Sequence, residues 1–219
     1  MKRKKILTYS FFFLGLIILF LFFVFWGTDN WKTSLPELST VQPFTFTTEN
    51  GKKFTNQDMQ GKVCVVNYFF TTCKGICPRM NGNMKKIYEE FEDHPDFMIV
   101  SHTCDPETDS ASTLLKYAQK MQVNTNKWVF LTGRKDSLYQ QARNSYLLDD
   151  PKNSVKDIDD QFLHTQFFAL IDKDGNVRGQ IYDGLKEADL KQLESDIKTL
   201  LHEPSTNTHF ANSIFTNNL

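Results

Sequence analysis

Hydrophobic positions along the chain fall into runs of different period. From Ile6 to Trp26 almost every residue is apolar. This run meets the roughly 20 residues that a membrane-spanning helix needs at ~1.5 Å rise each. It is too long for the apolar core of a cleaved signal, and no small-x-small site follows it. Residues 29–42 are polar and interrupted by proline, which reads as a linker. Residues 43–55, "PFTFTTENGKKFT", alternate around Asn50-Gly51, a strong hairpin turn signal. "VCVVNYFF" (63–70) and "FMIVSHT" (97–103) are near-continuous apolar runs, the pattern of strands buried on both faces. "WVFLTG" (128–133) is a third such strand.

Helical spacing appears between these strands. Met80, Met84, Ile87, Tyr88 and Phe91 follow Pro78, which the first turn of a helix tolerates. Leu114, Leu115, Tyr117, Ala118 and Met121 predict a second helix, capped by Ser110 or Asp109. Residues 136–147 read as a third. Residues 149–160 form a polar, acidic loop. "QFFALID" and "VRGQIYDG" flank Asp174-Gly175, a second hairpin turn. Leu190, Leu193, Ile197, Leu200 and Leu201 give an amphipathic helix over 186–202. Residues 203–219 are polar and aperiodic, which reads as disordered. The order predicts an α/β fold: a thioredoxin-like central sheet with flanking helices, preceded by one N-terminal transmembrane helix. The domain boundaries that follow are a basic segment 1–5, an anchor 6–26, a linker 27–42, a globular domain 43–202 and a tail 203–219.

Charge orients the chain. Lys2, Arg3, Lys4 and Lys5 precede the apolar run, and Trp26 and Trp31 suit an interfacial anchor. The basic cluster should stay cytoplasmic, which places the domain on the exported side of the cell membrane. The 25 basic and 26 acidic side chains nearly balance, and without that cluster the remainder is about −5. No basic patch suggests nucleic acid.

Export changes how the four cysteines are read, because exposed thiols outside the cytoplasm tend to oxidise unless reduced or metal-bound. Four is too few for a disulfide framework in a domain of this size. Cys64 alternates within a strand and reads as a small buried hydrophobe. Cys73 and Cys77 stand at the junction of the first core strand and its helix. Free N–H groups there stabilise thiolate, so Cys77, beside Pro78, is expected to have a depressed pKa. Gly75 is expected to let the loop bend tightly. The pair suits thiol–disulfide exchange, a metal clip or a structural disulfide, and spacing does not separate these.

"CKGICP" resembles the CxxxCP signature of the Sco/SenC proteins. "SHTCDPETD" resembles their S-x-D-P-E-x-D segment, and "DDQFLHTQFFALIDKDGNV" resembles the segment in which one His precedes a strand. The resemblance covers roughly residues 43–201. It implies a thioredoxin-like fold and copper, as Cu(I) or Cu(II), bound by Cys73, Cys77 and His164. It further implies assembly of the binuclear copper centre of cytochrome c oxidase, with subunit II as the receiving partner. A copper donor and a thiol reductant would also be needed. Copper suits this donor set, since soft thiolates hold Cu(I) and thiolate with imidazole holds Cu(II). The same resemblance leaves room for an enzyme, a thiol–disulfide oxidoreductase that uses Cys73 and Cys77 to reduce the acceptor's cysteines. Catalytic zinc is a weaker fit, because no general base stands conveniently nearby. A sensor whose acidic loop reorganises on metal binding is a further class. Cys104 departs from the family's usual apolar residue and reads as a bystander, a resolving thiol or a spare ligand. His102, Met80 and Met84 read as core, and "DPETD" as a turn and helix cap.

Overall fold

The computed structural model describes residues 2–25, 34–150, 152, 163 and 165–205. Two compact units are present, residues 1–35 and 36–219. The first contains helix α1 (Lys2–Phe25), within which Lys5–Phe23 is long and apolar enough to cross a membrane. Trp26 and Trp31 lie outside the described residues.

The second unit is built on one eight-stranded mixed sheet. Its strands in chain order are β1 (Glu37–Thr40), β2 (Thr45–Thr48), β3 (Lys53–Thr55), β4 (Val63–Phe69), β5 (Phe97–Thr103), β6 (Trp128–Thr132), β7 (Phe167–Ile171) and β8 (Asn176–Asp183). Across the sheet they run β1-β8-β7-β4-β5-β6-β2-β3. β4, β5 and β6 pair in parallel at the centre. β7, β8 and β1 add antiparallel strands on one side, and β2 and β3 do so on the other. Every residue of β4 and β5 is buried, as their unbroken apolar runs require.

The helices are α2 (Cys77–Phe91), α3 (Ala111–Met121), α4 (Lys135–Asn144) and α5 (Glu187–His202). Because side chains alternate along a strand, β4 and β5 present different sets to the two faces. Tyr68, His102, Val129 and Leu131 meet Leu138, Tyr139 and Ala142 of α4 and Phe44 and Phe46 before β3. On the other face Phe69, Trp128 and Phe130 pack against Tyr117 of α3 and Tyr88 of α2. A buried polar chain crosses this face. Trp128 Nε1 donates to Ser101 Oγ at 2.8 Å, Ser101 Oγ to Asn67 Oδ1 at 2.6 Å, Asn67 Nδ2 to Asn81 Oδ1 at 3.2 Å, and Asn81 Nδ2 to Tyr117 Oη at 2.7 Å. Every link is satisfied, so the chain positions α2 against the sheet at little desolvation penalty.

Both hairpins form as their turn residues demand, with Gly51 at φ 75° and Gly175 at φ 86°. The β7–β8 turn is fixed by buried Asp172, which accepts from the N–H of Asp174 and Asn176 and pairs with Arg178 at 2.7 Å. Two boundaries differ from the reading of the chain. Glu37–Thr40, within the stretch read as linker, forms the edge strand β1 on β8. Three polar residues and an exposed Leu38 carry almost no strand signal of their own, so pairing with β8 makes the strand. The third helix is Lys135–Asn144 and stops short of Leu147, which adopts a left-handed φ of 57°. Residues 206–219 and most of the acidic loop, 151 and 153–162, lie outside the described residues.

Candidate metal centre

β4 ends at Phe69 and α2 starts at Cys77, so both cysteines of the pair come from one short connection. The Cys73 N–H donates to the Phe70 carbonyl at 3.3 Å, which turns the chain back toward the helix. Cys73 is partly exposed and Cys77 is buried. All four cysteines are thiols. The Cys77 thiol hydrogen-bonds to Cys73 Sγ, so the two sulfurs face each other.

Their environments are opposite. Partial burial pushes the Cys73 thiol up, but the Cys77 thiol and the backbone N–H groups of Cys77, Gly75 and Ile76 outweigh it, and the net shift is down. Those N–H groups open α2, whose N-cap, Ile76, offers no capping side chain. Cys73 Sγ therefore serves as the acceptor for the helix start. Cys77 is pushed up to about 12, first by burial and then by donating to Cys73. This corrects the expectation that Cys77 carries the depressed pKa. As the first residue of the helix, Cys77 turns inward, and the free N–H groups point at Cys73, four residues before it. Gly75 also acts differently from expectation: its φ is not positive, and a Cβ there would meet only Cys73 Sγ at 4.0 Å.

Cys104 follows β5 and is buried, with its N–H and its Sγ directed at the Phe69 carbonyl at 2.9 and 3.2 Å. Burial first, and then the neighbouring Cys77, pushes its thiol well above the ordinary range. Cys64 is buried in β4 and is pushed up to about 12 by desolvation. Met80 and Met84 are core, as read. His102 is fully buried among Phe44, Phe46, Tyr68 and Tyr146.

His164 lies outside the described residues, but its neighbours do not. Leu163 is buried, and its N–H donates to Tyr139 Oη at 3.2 Å. Tyr139 Oη in turn donates to the Cys104 carbonyl at 2.7 Å. One hydroxyl thus joins the residue before His164 to the residue after β5. Reading the chain missed Tyr139, because nothing in a helical Tyr forecasts a contact to residue 163. Among the described residues, no group of three or more His, Cys, Asp and Glu side chains is placed to hold a metal ion. The described part of the candidate site is the sulfur pair.

Comparison with known proteins identifies the family. The SCO1/SenC family model matches residues 32–202. The chain belongs to the SCO1/SenC family. Among members of that family it is 30% identical over 185 residues to the SCO1 protein homolog of Bacillus subtilis, covering 83% of this chain and 92% of that one. It is 29% identical over 138 residues to the human mitochondrial SCO1 homolog, covering 61% of this chain and 44% of that protein. The solved structure of BsSco, described as a member of the Sco family of cytochrome c oxidase assembly proteins and studied for a disulfide switch, superposes with a TM-score of 0.66. It is 27% identical and covers 78% of this chain and all of that one. Yeast Sco1 solved with copper bound shares the fold, with a TM-score of 0.55 at 21% identity over 78% of this chain and 99% of that one. The mixed sheet with flanking helices is thus the thioredoxin-like fold of the Sco proteins.

Proposed function

We propose that this SCO1/SenC protein is a membrane-anchored copper chaperone for cytochrome c oxidase, with Cys73, Cys77 and His164 as its copper ligands. The observation that carries the reading is the sulfur pair: two facing thiols, one favoured as thiolate by a helix N-terminus, in a domain of this family. Structural relatives with copper bound and a cytochrome c oxidase assembly relative support the cargo and the task. Two adjacent sulfurs suit soft Cu(I), and an added imidazole suits Cu(II). The anchored Leu163 supports His164 as third ligand, because it ties the neighbouring backbone to the strand end beside the cysteine loop. α1 would be the anchor, its basic start cytoplasmic and the domain exported. Subunit II would receive the copper.

Copper titrated into the reduced full-length chain in detergent is expected to bind at one equivalent, and Cys73→Ala or Cys77→Ala to abolish it. His164→Ala should weaken Cu(II) binding more than Cu(I). Spectra and affinities unchanged from wild type in both oxidation states of that variant would remove His164 from the ligand set.

The unlike thiols favour a second activity of the same pair. The Cys73 thiolate attacks one sulfur of a partner disulfide and releases one partner thiolate. Cys77 then loses its proton and attacks Cys73 Sγ, forming the Cys73–Cys77 disulfide and releasing the second partner thiolate. Two electrons pass to the partner, and a further thiol reductant must return them. This activity does not need His164, so a His164→Ala variant that still supports oxidase assembly in cells would favour it over copper transfer.

A further inference from the structure

The sequence offers Asp109 and Ser110 as candidate caps of α3, and Ser110 fills that role, accepting from the Thr113 N–H at 3.3 Å. The Asp109 carboxylate turns away from the helix and is fully buried. Its Oδ2 accepts the Thr71 N–H at 3.1 Å and the Thr103 hydroxyl at 2.6 Å, and its Oδ1 accepts the Thr71 hydroxyl. The Thr103 hydroxyl oxygen also accepts the Asp105 N–H at 3.0 Å, and the Asp109 N–H closes back on the Asp105 carbonyl at 2.9 Å. Among the described residues no ion pair to Asp109 is present. A buried carboxylate without a cation is costly unless its lone pairs are filled, and here three donors from two separate segments fill them. One of those segments, at Thr71, is the root of the cysteine loop.

We propose that Asp109 is a positioning residue for the Cys73–Cys77 pair, its carboxylate clamping Thr71 of the cysteine loop to Thr103 at the end of β5. The inference rests on that pair being the working site. Thr71 stands two residues before Cys73, whose own N–H is held by the Phe70 carbonyl. With the root pinned at both places, the few residues up to Cys77 must turn the N–H groups of Gly75, Ile76 and Cys77 onto Cys73 Sγ. A root free to shift moves the sulfur away from those donors and from Cys77. Asp109 thereby sets the separation and direction of two sulfurs that it does not touch.

The test uses the reduced, metal-free, full-length chain in detergent, with Asp109→Ala, Asp109→Asn and Thr71→Val. Three quantities are read: amide hydrogen exchange at Thr71, the rate of Cys73 alkylation by iodoacetamide, and Cu(I) affinity in competition with a chromogenic chelator. Asp109→Ala should speed Thr71 exchange and weaken Cu(I) binding, each by about tenfold or more, the scale of a lost hydrogen bond to a charged group. Asp109→Asn should largely restore both, since its amide oxygen can accept the Thr71 N–H and Thr103 hydroxyl while its NH2 meets the Thr71 oxygen. Thr71→Val removes only one of the three donors and should give a smaller change, about threefold, which keeps the test open if Asp109→Ala does not fold. A folded Asp109→Ala or Thr71→Val with wild-type exchange, alkylation and affinity would overturn the proposal. So would losses that Asp109→Asn shares in full alongside an equal fall in urea midpoint. Failure of the wild-type chain to bind Cu(I) would instead fell the copper reading, because exchange and alkylation report the clamp without metal.

Discussion

Cys73 and Cys77 are one side-chain type four positions apart, and the fold makes them chemically unlike. Three backbone N–H groups and a neighbouring thiol stabilise negative charge on Cys73, while burial and the role of donor keep Cys77 protonated. Thiolate is the reactive form, so a limiting amount of iodoacetamide at pH 7 should label Cys73 and spare Cys77. Cys77→Ala removes one donor and should slow Cys73 labelling near neutral pH, with the pH–rate curve displaced upward. Labelling of Cys77 ahead of Cys73, counted by mass spectrometry, would contradict the assignment. The spacing of the pair was legible in the chain, but the identity of the reactive member was not. That depends on which way the loop turns its N–H groups, and sequence spacing carries no sign of it.

At the scale of elements, the site is assembled where β4 and β5 end beside α2, and α4 supplies an anchor from the opposite face. Tyr139 of α4 reaches past the sheet to the Cys104 carbonyl and to the Leu163 N–H. Tyr139→Phe deletes that one oxygen and leaves two buried backbone groups short of a partner. The expected cost is about 1–3 kcal/mol in urea unfolding, with faster hydrogen exchange at Leu163 than at residues of β4. Uniform exchange rates in the variant would argue against a local tether. The long apolar runs of β4 and β5 and the Asn-Gly and Asp-Gly turns were plain in the chain, because strand burial and tight turns impose strong local composition. Edge strand β1 was not, because pairing with β8 supplies what its four largely exposed residues lack.

The whole molecule combines a helix long enough to span a bilayer with a domain of the SCO1/SenC family. The domain carries a built-in sensitivity to acid. His102 stacks on Tyr68 at 4.9 Å between ring centroids, and neither ring nitrogen has a hydrogen-bond partner among the described residues. Burial lowers its pKa from 6.5 to about 3. Between those values the unfolded chain holds a proton that the native domain rejects, so stability rises with pH across the window. His102 imposes no such penalty above the ordinary value, and stability falls as pH drops through the window, by at most about 1.4 kcal/mol per unit. His102→Leu should flatten this limb, so that urea midpoints of wild type and variant converge or cross between pH 7 and 4. Parallel pH dependences would show that His102 does not contribute.

The chain alone determined the class of fold, the candidate membrane span and the family's sulfur pair. Each is written in local pattern: an unbroken apolar stretch, alternation broken by turn residues, and cysteines at a strand–helix junction. Only the tertiary structure decided the order of the strands, the unlike character of Cys73 and Cys77, and the contacts from Asp109 and Tyr139. The contacts of Asp109 to Thr71 and of Tyr139 to Cys104 and Leu163 join residues tens of positions apart. They exist because packing brings the segments together and buried polar groups must then find partners, a requirement that no local stretch of sequence can express.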